Sequence, residues 1–480
     1  MLLTAASPPS RMVISPTDVW DTIVVGAGAS GLGAARVLAD AGKRVLVLEA
    51  RDRVGGRMWT DTTGMSIPFE RGAELVHGSD VSTWGLINDL GLETHRQTSI
   101  QSRLTATTPW ISAFDYEGLR FPLGAPAFPG GEMPQPELGE TALDWLNRMG
   151  ILPDNYPAAL AAVEVDSEQL DVLPAGFVTD LVEYCLYVES EGLTGPLPPE
   201  EYGDYRVIGG YRQVLAPLMD GVPVLLERVV DTIEYRANRV DVHTSDGSFR
   251  ARTVIVALPG GVLKSGAVTF DPPLPADRLA AIQEISYLSV FKAIFEFAQP
   301  ILPAGLPAQP TWDIATTFSQ NPPSLWNASS GTPGFGGELV VAWMTGARAQ
   351  QLLDMPEDAR LDQALQSIRA TVGDPNLAPV HASTYDWSQD PFTLGAYPGP
   401  FSRRQGLTDP IAGVLFWAGM VTSTIHRSRD SGVVAAQAVL AALGATEPAG
   451  PIAPTKPVSV ETGAANELQR IRRWGGLRQD

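Results

Sequence analysis

The 480-residue chain has a single cysteine, Cys185. It can therefore form no intrachain disulfide, no CxxC pair and no thiolate metal cluster. Histidine is also scarce. His77, His95, His243, His381 and His426 are scattered without an HxxxH or HExxH pairing, so a protein-built zinc site is not expected. No segment approaches the ~18 consecutive apolar residues of a membrane span. The start lacks a basic stretch followed by an apolar run. Residues 1–17 read as a flexible leader and not a signal peptide, which makes a cytoplasmic location the default expectation. Positive charge is short: 34 Lys plus Arg stand against 54 Asp plus Glu, a net charge of −20. Such a surface repels phosphate backbones, and no nucleic-acid partner is expected. What remains, 44% hydrophobic and 18% charged residues, is the composition of a folded globular chain. Its length predicts two or three domains.

The first ordered signal is Thr22 to Val25, a short β-branched run that reads as a buried strand. Gly26-Ala27-Gly28-Ala29-Ser30-Gly31 follows, then an Ala/Leu-rich helix to about Ala41, stopped by Gly42. A second strand runs from Arg44 to Leu48 and ends in Glu49. A lone GxGxxG is weak, but strand, glycine turn, helix, strand and acid in this order form a dinucleotide-binding unit. Gly26 permits the tight turn, Gly28 lets backbone approach a pyrophosphate, and Gly31 lets the helix sit close to the sheet. The helix start, with Ala29 and Ser30, offers N–H groups to phosphates. Glu49 can accept from ribose hydroxyls.

Further strands are expected at Val222–Leu226, Arg239–His243 and Thr253–Ala257, the last two joined by Ser245-Asp246-Gly247. Helices are expected at Ala142–Met149 and Phe177–Val188. Pro122–Pro136 and Pro300–Gly337 read as irregular blocks. A strand at Val414–Ala418 precedes an Ala/Val-rich helix from about Asp430 to Leu443. Pro448, Pro451, Pro454 and Pro457 recur every third residue, on one face of a polyproline II spacer. Arg470, Arg472, Arg473 and Arg478 around Trp474 read as a terminal segment packing on the acidic domain.

The glycines do not separate NAD from FAD; the continuation does. Glu49-Ala50-Arg51-Asp52-Arg53-Val54-Gly55-Gly56-Arg57 resembles the second half of the FAD signature of flavin-dependent amine oxidases. Phe69 to Gly78 resembles the segment beside the isoalloxazine ring, with Leu75 where the family often has an aromatic residue. Leu226 to Val230, Val254 to Pro259, Tyr385 to Tyr397 and Phe416 to Gly419 are similar to later family segments. The resemblance, of monoamine oxidase, polyamine oxidase or L-amino-acid oxidase type, covers roughly Asp21 to Leu443. It implies noncovalent FAD, because Ala396 stands where some members carry a flavin-linking cysteine. The cofactor residues implied, with those of the glycine turn and Glu49, are Ala50, Arg51, Gly56, Arg57, Ala73, Glu74, Leu75, Val230, Trp387, Gly419, Met420 and Asp430. Arg57 would contact the phosphates and the Val230 backbone the adenine.

Three residues carry the expected chemistry. The family has a lysine, in the context of Lys292, bonded through a water to flavin N5. Tyr397 matches one wall of the family's aromatic cage. A gapless alignment to Gly432 puts Arg429 where the second cage aromatic stands, and His426 where a tryptophan is often found. Arg429 either binds an acidic substrate group or turns away towards Asp430; an acid near the substrate amine is expected. Met420-Val421 replaces the family's ribityl-bonding acid, a loss of about 1 kcal/mol.

The expected fold is α/β, a Rossmann-like FAD-binding domain interleaved with an α+β substrate-binding domain. Residues 18–77, 205–290 and 395–443 form the first, residues 78–204 and 291–394 the second, and 444–480 a Pro-rich, basic tail. The expected function is oxidation of a small amine or amino acid. Hydride would pass from the C–N carbon to flavin N5, with molecular oxygen reduced to hydrogen peroxide. An L-amino-acid oxidase using Arg429, a flavoprotein desaturase or isomerase, and an FAD-stabilised binding protein with a decayed site are the alternatives. A homodimer is among the expected assemblies.

Overall fold

The computed structural model describes residues 18–103, 110–112, 137, 140–149, 175, 204–287, 289–306, 312–317, 320–398 and 406–444. The flexible leader, the Pro122–Pro136 block, the Phe177–Val188 helix, Cys185 and the proline tail lie outside them.

Two large sheets organise the chain. The first follows the order β10 (Val224–Leu225), β2 (Val45–Leu48), β1 (Val19–Val25), β13 (Gly247–Val256), β12 (Arg239–Thr244), β11 (Val230–Arg236) and β14 (Thr269–Asp271). The far end of β13 also pairs with β20 (Leu415–Trp417). Strands β10, β2, β1, β13 and β20 are mutually parallel. A parallel sheet is covered on both faces, which is why β1 reads as a continuous apolar run: Ile23, Val24 and Val25 are all buried. The helix Ala29–Asp40 carries the chain from β1 to β2. Chain order then turns back across β1 to β13, so the carboxyl ends of β1 and β13 form a topological switch point. The β12–β13 hairpin forms about Ser245-Asp246-Gly247 as expected.

The second sheet follows the order β19 (His381–Thr384), β15 (Val290–Phe297), β18 (Glu338–Thr345), β17 (Ser324–Asn327), β16 (Ile314–Thr317), β7 (Ile100–Arg103) and β8 (Ile111–Ser112). All its pairs are antiparallel except β16 with β7. Strands β16 and β17 correct the sequence expectation of an irregular block over Pro300–Gly337. Each is four residues long and wholly buried, too short for a periodic signal among prolines and glycines; the sheet supplies the pairing that the local sequence does not advertise. A two-stranded ribbon, β3 (Thr60–Asp61) with β4 (Phe69–Glu70), and a three-stranded sheet, β5 (Leu75–His77), β9 (Asp204–Val207) and β6 (Thr94–Arg96), complete the strands among the described residues.

The last helix is Ile425–Ala442, five residues longer at its start than the sequence suggested. It lies on the Ala29–Asp40 helix with small residues at the crossing. A Cβ on Gly432 would fall 1.9 Å from the Ser30 carbonyl oxygen, and one on Gly33 would fall 2.9 Å from that of Arg429. Only glycine allows backbones to approach this closely.

Candidate active site

The glycine turn occupies the switch point. Gly26 has φ +104°, and a Cβ there would stand 2.7 Å from the Ala257 carbonyl oxygen. A Cβ on Gly31 would stand 1.9 Å from the Gly26 oxygen; this glycine seats the helix against the strand and does not line the site. Gly28 differs, because nothing of the protein lies within 4 Å of its Cβ position. Its face opens into a cavity of ≈ 520 Å³. The helix start has no side-chain cap, so its first N–H groups are left for an anion.

The cavity collects most residues expected from the sequence. Gly26, Gly28, Ala29, Ser30, Glu49, Ala50, Arg51, Gly56 and Arg57 line it, followed by Ala73, Glu74, Leu75, Val230, Trp387 and Gly419, with Lys292 and Tyr397. Glu49 is buried, and its carboxylate accepts from the Ala27 N–H at 2.7 Å and the Arg51 N–H at 3.0 Å. Arg51 pairs with Asp390 and donates to Thr393 Oγ1 at 2.7 Å. Arg57 donates to the Ala396 carbonyl, and burial holds its guanidinium below the usual arginine range. An anionic cofactor alongside would relieve that cost. Arg53 stacks over Trp59, 4.2 Å from the ring centre, and burial lowers it to about 10. Trp387 meets Trp59 and Tyr385 edge-on and donates to the Arg71 carbonyl at 3.1 Å. Open glycine backbone, an uncapped helix start, a buried acid beside the turn and a buried arginine fit a dinucleotide.

Besides Gly31, three expected site residues lie off the cavity. Arg429 does not line the cavity: its backbone and Cγ lie against Gly33 at the helix crossing, and its guanidinium pairs with Asp430 at 3.2 Å. Asp430 is thereby also off the cavity. The reason is the helix start at Ile425, which turns Ser428 and Ile425 towards the cavity instead. Met420 is buried, with its carbonyl accepting from the Gly260 N–H. His426, also buried, lies 3.2 Å from Thr424 Oγ1.

Sequence reasoning missed the other end of the cavity. Trp326 of β17 and Trp343 of β18 line it beside Lys292, with ring centres 6.0 Å apart. Lys292 pairs with Trp343 across β15 and β18. His77 also lines the cavity and sits 2.8 Å from Asp204. Near this end Glu70 is buried, accepting from Thr60 Oγ1 at 2.8 Å and the Tyr211 N–H at 2.7 Å. Desolvation pushes it up to about 7. The available signal was an isolated lysine among aromatic-bearing strands; which tryptophans surround it depends on strand register.

A mainly parallel sheet with a glycine turn and an uncapped helix start at its switch point, sharing one cavity with a mainly antiparallel sheet, has the architecture of a dinucleotide-binding protein of two interleaved sheets. The chain belongs to the family described as flavin containing amine oxidoreductase, whose match spans residues 29–440. It is similar to Polyamine oxidase 3 of Oryza sativa subsp. japonica, 27% identical over 454 residues, covering 86% of this chain and 88% of that protein. It is also similar to flavin-containing amine oxidase B of Canis lupus familiaris, 26% identical over 493 residues, covering 92% and 90%. Among solved structures, a cofactor-binding redesign of putrescine oxidase shares the fold with TM-score 0.67 at 22% identity, over 88% of this chain and 99% of that one. Cyclohexylamine oxidase from Brevibacterium oxydans IH-35A does so with TM-score 0.66 at 20% identity, over 89% and 100%. No helix among the described residues is long and apolar enough to cross a membrane.

Proposed function

We propose that this chain oxidises the C–N bond of a compact amine with noncovalently held FAD and passes the electrons to oxygen. The observation that carries the proposal is one cavity that runs from the glycine turn to an aromatic end formed by Trp326 and Trp343 beside Lys292, with Tyr397 also on its wall. Gly28, Ala29 and Ser30 would hold the pyrophosphate, Glu49 the ribose, Val230 the adenine, and Ala73 to Leu75 with Gly419 the ring. When bound, FAD supplies the hydride acceptor. The chain's own part is to admit the amine without its proton, since the nitrogen lone pair must stabilise the forming iminium. Aromatic, dry walls do this by penalising the ammonium. Water then releases ammonia, so amine, oxygen and water give a carbonyl product, ammonia and hydrogen peroxide.

The Lys292 charge is paired with Glu74, and the tryptophan walls beside it favour an amine with an apolar body. Among the described residues, Arg429 is turned to Asp430 and the cavity-lining Arg71 is paired with Asp61, which speaks against a substrate carboxylate. The test is anaerobic flavin bleaching across monoamines, polyamines and amino acids, with peroxide measured after air is admitted. We expect the fastest bleaching from a small apolar primary amine, and peroxide on aeration. An amino acid as best substrate, or bleaching without peroxide, would overturn the reading. Acid precipitation should release all the yellow colour; flavin left on the pellet would overturn noncovalent binding.

A further inference from the structure

Lys292 is 7% exposed and Glu74 6%, and both stand on the cavity wall. The ammonium has three N–H donors. One goes to Glu74 Oε2 at 2.9 Å and one to the Gly72 carbonyl at 3.1 Å. The same Glu74 oxygen accepts from Trp326 Nε1 at 3.0 Å, and the Trp326 ring centre lies 5.4 Å from Lys292 Nζ. One carboxylate oxygen therefore ties the segment before β5 to side chains of β15 and β17. A buried carboxylate and ammonium hold each other in place, because neither is solvated elsewhere. No third hydrogen-bond acceptor for the Lys292 ammonium is found among the described residues, and Lys292 lines the cavity.

We infer that Glu74 is a positioning residue: it holds the Lys292 ammonium at one point of the cavity wall, with its remaining N–H available where oxygen reacts. The inference rests on the proposed reading that Lys292 assists reoxidation by oxygen. Glu70 and Arg206 act electrostatically on Glu74 from the neighbouring β4 and β9. Glu70 Oε2 is buried with no hydrogen-bond partner among the described residues, so it is a second acceptor near an unclamped Lys292.

Glu74→Gln is nearly isosteric and removes only the charge. It is compared with Lys292→Met and with the double variant, all as FAD-loaded protein. Stopped-flow reoxidation of the reduced flavin gives one readout. The second needs no turnover. The chain has four lysines, Lys43, Lys264, Lys292 and Lys456, so [ε-13C]lysine labelling gives few resonances, and Lys292 is assigned by its loss in Lys292→Met. We expect Glu74→Gln to slow reoxidation about tenfold, to shift the Lys292 resonance alone, and to add nothing in the Lys292→Met background. The Michaelis constant for the amine should stay within about twofold. Should Glu74→Gln not fold, Glu74→Asp keeps the charge at shorter reach and should give an intermediate rate and a smaller shift. Wild-type reoxidation with an unmoved resonance, or an equal slowing with and without Lys292, would overturn the positioning role. Wild-type reoxidation in Lys292→Met would instead overturn the reading of Lys292 itself.

Discussion

The two ends of the cavity are built on different principles. At the cofactor end the parts come from neighbouring sequence. Strand β1, the glycine turn, the Ala29–Asp40 helix, β2 and Glu49 follow within about thirty residues, in the order that a dinucleotide unit requires. At the aromatic end, the clamp joins Glu74 to Lys292 across 218 residues and to Trp326 across 252. The first end is governed by local backbone rules: a positive φ at Gly26, contacts closer than any Cβ allows, an uncapped helix start. The second is governed by which strand pairs with which, and in what register. A local rule leaves a residue type at a fixed spacing, whereas a register leaves none.

The largest expected effect breaks the cofactor end in two distinguishable ways. Gly31→Ala drives a methyl into the Gly26 carbonyl and should cost on the order of 3 kcal/mol or more of stability, read as a large drop in melting temperature. Gly28→Ala meets no protein atom within 4 Å, so the variant should fold like the parent but lose FAD on purification. If both retain FAD and melt alike, the distinction between a packing glycine and a ligand-facing glycine is wrong.

A smaller effect is expected from the buried carboxylate beside the aromatic end. Burial raises Glu70 from 4.5 to about 7, so the folded chain holds a proton that the unfolded chain releases. That stability is fully present below about pH 4.5 and is lost as pH rises to about 7, a change on the order of 3 kcal/mol. Glu70→Gln should flatten this part of the melting profile. Glu338 of β18, also raised to about 7 by burial, leaves a residual slope in the same window. A Glu70→Gln profile as steep as the parent's would show that Glu70 is ionised in the fold.

The smallest effect is expected at Arg429. Arg429→Met keeps the side-chain stem against Gly33 and removes a partly exposed pair with Asp430, worth at most about 1 kcal/mol. kcat/KM for the best amine should change by less than about twofold. A large rise in KM confined to acid-bearing substrates would return Arg429 to the site and blur the difference between the two ends.

Legible in the sequence were the strand–turn–helix–strand unit and much of the cavity wall around it. Gly26 and Gly31 are required by short-range backbone geometry, Gly28 and Glu49 stand at fixed spacing beside them, and the segment around Gly56 and Arg57 continues the pattern. The hairpin at Asp246-Gly247 and the β1 and β2 strands were legible for the same reason. Tertiary structure alone decided the rest. The start of the last helix at Ile425 turned Arg429 away, because two glycines let that helix settle onto the first. Strands β16 and β17 became visible only through their partners. Trp326, Trp343 and Glu74 came together around Lys292 because the register of β15, β18 and β17 aligned them, and register arises from long-range pairing that no window of neighbouring residues records.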